Sequence, residues 1–201
     1  MTDDARLFAP AAARNVSFIV EAMQARAPRS GTALEIAAGS GEHAVAIAAA
    51  LPDLTWRPTD IDPARLASID AWAAHAGAAN VRKAAYFDAA AGDWAGDAVD
   101  LTFAANILHL IPDAAARSVV AAKARALKPG GRFMLYGPFL RETGFASEGD
   151  RDFDARLRRE GDGGYKLVTA VETWMREAGL AEITRMAMPA NNLILTGVKP
   201  E

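Results

Sequence analysis

Residues 33–48 read "ALEIAAGSGEHAVAIA". An apolar run carrying one carboxylate, Glu35, breaks into Ala-Ala-Gly-Ser-Gly. It resumes with Ala44, Ile47, Ala48 and Leu51 at the spacing of one helix face. Residues 32–37 therefore read as a strand, and the whole stretch as strand, glycine turn, helix. That unit binds a nucleotide-like ligand at the carboxyl edge of a parallel sheet. Gly39 and Gly41 would let backbone approach a ligand closely, and the N–H groups opening the helix would face an anionic group. Spacing alone leaves the ligand open. A dinucleotide fingerprint needs a third glycine where Ala44 stands, and alanine there is a tolerated replacement. Glu35 points elsewhere: a carboxylate four residues before the central glycine can reach over the turn to a ligand ammonium, directly or through water. NAD has no ammonium, whereas S-adenosylmethionine has one on its methionine part. The plainer alternative is that Glu35 caps nearby backbone N–H groups.

Outward from this stretch the chain alternates helix and strand. Residues 10–26 form a helix with Pro10 at its start and Val16, Ile19, Val20 and Met23 on one face. "LPDLTWRPTDIDP" gives a second strand ending in two aspartates, and a helix follows from Pro63 to His75. "NVRKAAYFD" is a third strand and Val99–Ala105 a fourth. The next helix starts at a cap, Asp113, and stops at Pro129-Gly130. "RFMLYG" is a fifth strand, apolar on both faces as a central parallel strand should be. A helix over 168–178 and two strands, 181–187 and 192–198, close the chain, the strands joined by "MPANN". Five strands alternating with helices imply a parallel sheet with right-handed crossovers. The short last connection requires a hairpin. The expected fold is α/β: a doubly wound, Rossmann-like seven-stranded sheet, mostly parallel with an antiparallel last strand, and helices on both faces.

The 201 residues fit one domain, 1–201, with 1–28 as an N-terminal helical segment and the charged, glycine-containing stretch 141–166 as a candidate substrate lid. No apolar run reaches about 18 residues, so no membrane span is expected. The N-terminus lacks the layout of a signal peptide. A net charge of −3 argues against a general nucleic-acid binder, which needs a basic face. Cysteine is absent, which removes disulfides, thiolate chemistry and Cys-based zinc. The three histidines, His43, His75 and His109, sit in separate elements without metal-ligand spacing, so no metal is expected. Together these point to a cytoplasmic protein. Composition does not fix its oligomeric state.

"LEIAAGSGEHA" resembles the first motif of the class I (Rossmann-like) S-adenosylmethionine-dependent methyltransferases, Glu/Asp-x-Gly-x-Gly-x-Gly, with Ala37 where that motif has its first glycine. The resemblance runs along nearly the whole chain. At the end of the second strand it implies that Asp60, or second Asp62, accepts both ribose hydroxyls; Asp62 before Pro63 also reads as a helix cap. At the end of the third strand it places Asp88 against the adenine amino group, and at the end of the fourth Asn106 under the ligand. "PAAARN", "LEIAAGSGEHA", "TDIDP", "ANILHLIP", "LYGPF" and "MPANNL" together resemble the small methyltransferase-like 26 family. The cofactor implied is S-adenosylmethionine, bound through Glu35, Ala37, Gly39, Gly41, Asp60, Asp62, Asp88 and Asn106. The absence of Asn-Pro-Pro-Tyr at strand four speaks against base N-methylation, and the terminal hairpin speaks against an NAD-dependent oxidoreductase.

A small-molecule methyl acceptor is then expected, with a non-catalytic cofactor-binding protein acting through partner contacts as the alternative. His109, just past strand four, is a candidate base, or a helix-face histidine bonded to backbone. Tyr136, ending strand five, is a candidate for orienting the acceptor, or a core aromatic. Arg14, Asn15, Ser147, Glu148, Asn191 and Asn192 are candidate substrate contacts, each with a surface or turn-satisfying alternative.

Overall fold

The computed structural model describes residues 4–161 and 163–201. Residues 1–3 of the N-terminal segment and Asp162 of the 141–166 stretch lie outside the described residues. The elements run α1 (Pro10–Arg26), β1 (Gly31–Ile36), α2 (Glu42–Ala50), β2 (Leu54–Asp60), α3 (Pro63–Ala76), β3 (Ala85–Tyr86), β4 (Val99–Ala105), a 3-10 turn (Leu108–Leu110), α4 (Asp113–Arg125), β5 (Leu127–Pro138), α5 (Glu148–Glu160), α6 (Val168–Glu177), β6 (Ala181–Ala187) and β7 (Asn192–Val198).

They build one seven-stranded sheet of order β3-β2-β1-β4-β5-β7-β6. β1 pairs parallel with β2 and β4, and β4 with β5, whereas β7 runs antiparallel to both β5 and β6. The order reverses between β1 and β4, where ligands bind in doubly wound sheets.

The central strands bury both faces. Ala33, Trp56, Phe103 and Met134 pack under Ile19 and Met23 of α1 and Ile47 of α2. Leu34, Ile36, Phe133 and Leu135 pack under Val119 and Val120 of α4 and Val168, Val171 and Met175 of α6. On α1, Ile19 and Met23 are fully buried as the periodicity expects, while Val16 and Val20 are half-buried.

Three local expectations need correction. The third strand shrinks from nine residues to Ala85–Tyr86 plus an isolated bridge between Val81 and Trp56. It is an edge strand, and the Asp70 carboxylate takes the Ala84 N–H that a longer ladder would use (2.8 Å). The fifth strand begins at Leu127, ahead of Pro129, and α4 already ends at Arg125. Asp113 is the first residue of α4 rather than its cap, since Pro112 holds the cap position. Asp62 does cap α3, accepting from the Ala64 N–H at 2.8 Å. No helix among the described residues is long and apolar enough to cross a membrane.

Candidate functional site

After Ile36 the chain turns through three left-handed residues, Ala37 (φ 55°), Gly39 (φ 63°) and Gly41 (φ 95°). Alanine tolerates this region only with strain. The two glycines serve different ends. A Cβ on Gly39 would meet no atom within 4 Å and would project into an open cleft. A Cβ on Gly41 would lie 2.7 Å from the Cα of Ile69, so this glycine lets α2 and α3 approach each other and lines no cavity.

Asp60 ends β2 beneath the turn with 1% of its surface exposed. One oxygen accepts from the Gly39 N–H (2.9 Å) and the other from the N–H groups of Ile61 (2.8 Å) and Asp62 (3.1 Å). The carboxylate thus ties the glycine turn to the end of β2.

Glu35 sits elsewhere than the ammonium reading requires. Its side chain is buried, accepts from the Trp56 indole N–H at 2.6 Å, and lines none of the cavities at this edge. Alternation along β1 turns it into the layer under α1 and α2, beside Trp56 of the neighbouring strand. Burial pushes its carboxyl up to about 8, against the opposing effects of the Trp56 hydrogen bond and of Lys123.

Three cavities meet along the carboxyl edge. A cleft of about 300 Å³ is lined by Phe8, Ala37, Gly39, Ser40, His43, Arg65 and Asn106, among others. An apolar slot of about 120 Å³ runs from it between Ile36, Ile61, Phe87, Ile107 and Val119, with Asp60 and Asp88 among its walls. Ala37, Arg65 and Ile107 belong to both. A chamber of about 610 Å³ lies on the other side of Asn106, lined by Arg14, Asn15, His109, Tyr136, Phe153, Tyr165 and Asn192 with their neighbours. Asn106 adopts φ 56° and donates its N–H to the Tyr136 carbonyl (2.9 Å), which fixes it on the boundary of cleft and chamber.

A segment that sequence reading missed roofs the cleft. The Leu7 N–H donates to Ser68 Oγ (2.8 Å) and the Leu7 carbonyl accepts from the Trp72 indole (2.9 Å). The Ala9 N–H donates to Glu42 (2.7 Å), which also accepts from the Ser40 hydroxyl (2.7 Å). Phe8 leans edge-on against Trp72 with 67% of its surface exposed. No local signal announces it, because every partner lies at least 33 residues away.

In the chamber, His109 is buried beside Phe153 and Tyr165, with ring centroids 5.8 and 6.2 Å away. Burial, and then the charge of Lys166, lower its pKa to about 4. His43 is likewise lowered to about 4 by burial and contacts the Asn15 side-chain oxygen at 2.7 Å. Tyr136 is raised by burial, with Asn15 opposing. Phe153 and Tyr165, which line the chamber, come from the 141–166 stretch, and the sequence reading singles out neither.

Of the remaining candidates, Asp62 caps α3 and lines none of these three cavities. Ser147 caps α5 by accepting from the Asp150 N–H (3.1 Å), and Glu148 opens the same helix; neither reaches the chamber. Asn191 donates to Asp150 (3.0 Å) outside the chamber lining, while Asn192 lines it and donates to the Pro189 carbonyl (3.1 Å).

The doubly wound parallel sheet with its reversed last pair of strands, the glycine turn at the switch point and the aspartates that end β2 and follow β3 define a Rossmann-like fold. Solved structures agree. An O-methyltransferase family protein from Burkholderia thailandensis aligns with TM-score 0.78 and 20% identity over 95% of this chain and 57% of its own. An O-methyltransferase family 2 protein from Planctomyces limnophilus, in complex with apigenin, aligns with TM-score 0.79 and 18% identity over 98% and 62%. Human N-acetylserotonin methyltransferase, in complex with SAM, gives 0.73 and 16% over 95% and 53%. The chain thus spans little more than half the length of these proteins. The family described as "Protein of unknown function (DUF938)" matches residues 6–199, and the chain belongs to it.

Proposed function

We propose that this chain is an S-adenosylmethionine-dependent methyltransferase acting on a small molecule. The observation that carries the reading is the trio of joined cavities at the switch point, with Asn106 between cleft and chamber. The structural neighbours include a methyltransferase in complex with SAM and another with apigenin, and the motifs that resemble the methyltransferase-like 26 family surround the same edge.

The residues present fit that cofactor. The apolar slot between Ile61 and Ile107 suits a flat base, with Asp88 at hand for an exocyclic amino group. Asp60 keeps lone pairs beyond its three backbone bonds for ribose hydroxyls. Ala37, Gly39, Ser40, Arg65 and Asn106 would hold the methionine portion in the cleft. Bound there, the cofactor supplies a methyl group on a sulfonium, ready for in-line displacement. The chain's own part is to orient the acceptor, exclude water and receive a proton. The roof of Leu7–Ala9 covers the cleft. His109 can accept a proton from an acceptor hydroxyl or amine, and Tyr136, which also lines the chamber, would orient that group.

One observation favours binding without transfer: a histidine held at about 4 is a weak base. Calorimetric titration with S-adenosylmethionine, S-adenosylhomocysteine and NAD is the first test, followed by methyl uptake from the first. Micromolar binding of both sulfur ligands and none of NAD is expected; tighter NAD binding would reject the reading. Uptake by no metabolite screened, with both sulfur ligands bound, would favour the non-catalytic alternative.

Gly39→Val supplies a second check. The branched side chain would enter the cleft from a backbone angle that costs roughly 1–2 kcal/mol to any L residue. S-adenosylhomocysteine affinity should fall at least about a hundredfold, roughly 2.7 kcal/mol, while the fold persists with reduced stability. Unchanged affinity in a folded variant would put the cofactor elsewhere.

A further inference from the structure

We propose that the methyl acceptor is an aromatic carboxylic acid and that Arg14 is the residue that recognises its carboxylate. The inference rests on the methyltransferase reading and concerns the chamber alone. α1 presents two faces. Ile19 and Met23 enter the core, while Ala11, Arg14, Asn15 and Phe18, at i, i+3, i+4 and i+7, form a second stripe along the chamber wall. Among the described residues lining the chamber, Arg14 carries the single formal charge, since His109 is neutral at pH 7 and no Asp or Glu lines it.

Several cations around this region are already engaged, while Arg156 lies over the Phe153 ring, 4.9 Å from its centroid. Arg141 donates to the Asn191 carbonyl, Arg158 pairs with Asp154, Lys166 with Asp113, and Arg185 with Glu142 and Glu172. Arg14 has no ion pair or hydrogen bond to any described residue. An uncommitted guanidinium on the wall of a concave site is a fork of donors matched to two carboxylate oxygens. One cation balances one negative charge, which fits a carboxylate better than a doubly charged phosphate ester.

The rest of the wall suits a ring. His109, Phe153 and Tyr165 form a mutually edge-tilted cluster, their centroids 5.8–6.2 Å apart. Tyr136 and Phe18 add further aromatic surface. Position along the helix sets the order of groups. Ala11 lines both cleft and chamber, and Arg14 stands nearly one turn further on, about 4.5 Å along the axis. The acceptor therefore turns its reacting atom toward Asn106 and Ala11 and its carboxylate toward Arg14.

The test is calorimetric titration of the whole chain saturated with S-adenosylhomocysteine. The probes are benzoate, 4-hydroxybenzoate and 3-(4-hydroxyphenyl)propanoate, each paired with its neutral amide, together with phenyl phosphate. At least one acid should bind about tenfold or more tightly than its amide. Arg14→Gln should bring that ratio within about twofold and leave S-adenosylhomocysteine affinity unchanged, and Arg14→Lys should restore part of it. Equal affinity across every pair, no saturable binding of any acid, or tighter binding of phenyl phosphate overturns the proposal. So does loss of S-adenosylhomocysteine binding in Arg14→Gln, which would assign Arg14 to the cofactor. The prior titration of unsubstituted protein with S-adenosylhomocysteine tests the methyltransferase reading separately, whatever the acids do.

Discussion

Replacing Asp60 by alanine is expected to weaken S-adenosylhomocysteine binding more than a hundredfold and to destabilise the fold by about 3 kcal/mol. The carboxylate accepts three backbone N–H bonds, from Gly39, Ile61 and Asp62. Each buried donor left without an acceptor costs roughly 1–3 kcal/mol, and water entering the slot would recover part of it. The Gly39 contact ties stability to binding, because it holds the residue whose open side faces the cleft. Asp60→Asn separates the two effects. Its amide keeps one acceptor and turns an N–H₂ toward backbone donors on the other side, so its stability should fall between wild type and alanine. Urea unfolding and calorimetry on both variants read these quantities. Lost affinity with unchanged stability would make Asp60 a ligand contact only. Unchanged affinity with lost stability would remove it from the cofactor site.

That coupling was only half legible in the sequence. The glycine turn, the aspartates at strand ends and the terminal hairpin are local signals, and they position the sheet and its binding edge. What escaped depends on contacts between distant residues. Glu35 reads as a ligand group because its spacing from the glycines allows it; only the pairing of β1 with β2 brings Trp56 alongside. Gly41 reads as a second point of ligand approach, yet its lack of a side chain answers to Ile69 on α3.

The chamber illustrates the same limit. His109 and Tyr136 were found because strand ends at a parallel edge carry function. Phe153 and Tyr165 were not, because Phe153 sits on α5, which has the charge mixture of a solvated helix, and Tyr165 lies in the irregular segment that follows it. The roof over the cleft depends on Ser68, Trp72 and Glu42 catching backbone groups of residues 7–9. No periodicity encodes such bonds. On the second stripe of α1, Arg14 and Asn15 read as candidate contacts from the sequence, whereas Ala11 and Phe18 become wall residues only once the helix is docked.

Acidification from pH 7 to 4 is expected to remove stability through His43 and His109, and substituting either should remove about half of that loss. Both rings are held at about 4 by burial, against an ordinary value of 6.5. In the folded chain they stay neutral; in the unfolded chain they take up protons as pH falls below 6.5. The unfolded state then binds more protons, so stability falls with pH through this window and levels off near 4. A difference of about 2.5 pH units at roughly 1.4 kcal/mol each is about 3 kcal/mol per histidine, and about 6 for the pair. Glu35 acts in the opposite sense. Its stabilisation is full below 4.5 and lost as pH rises through about 8, a slope common to wild type and variants that drops out of their difference. Urea unfolding at pH 7, 6, 5 and 4 on wild type, His43→Gln and His109→Gln makes the comparison. Parallel curves would mean that the rings are wetter than their burial implies. A shallower slope in His109→Gln would mean that the chamber keeps this ring unprotonated at neutral pH, with its lone pair free to receive the acceptor's proton.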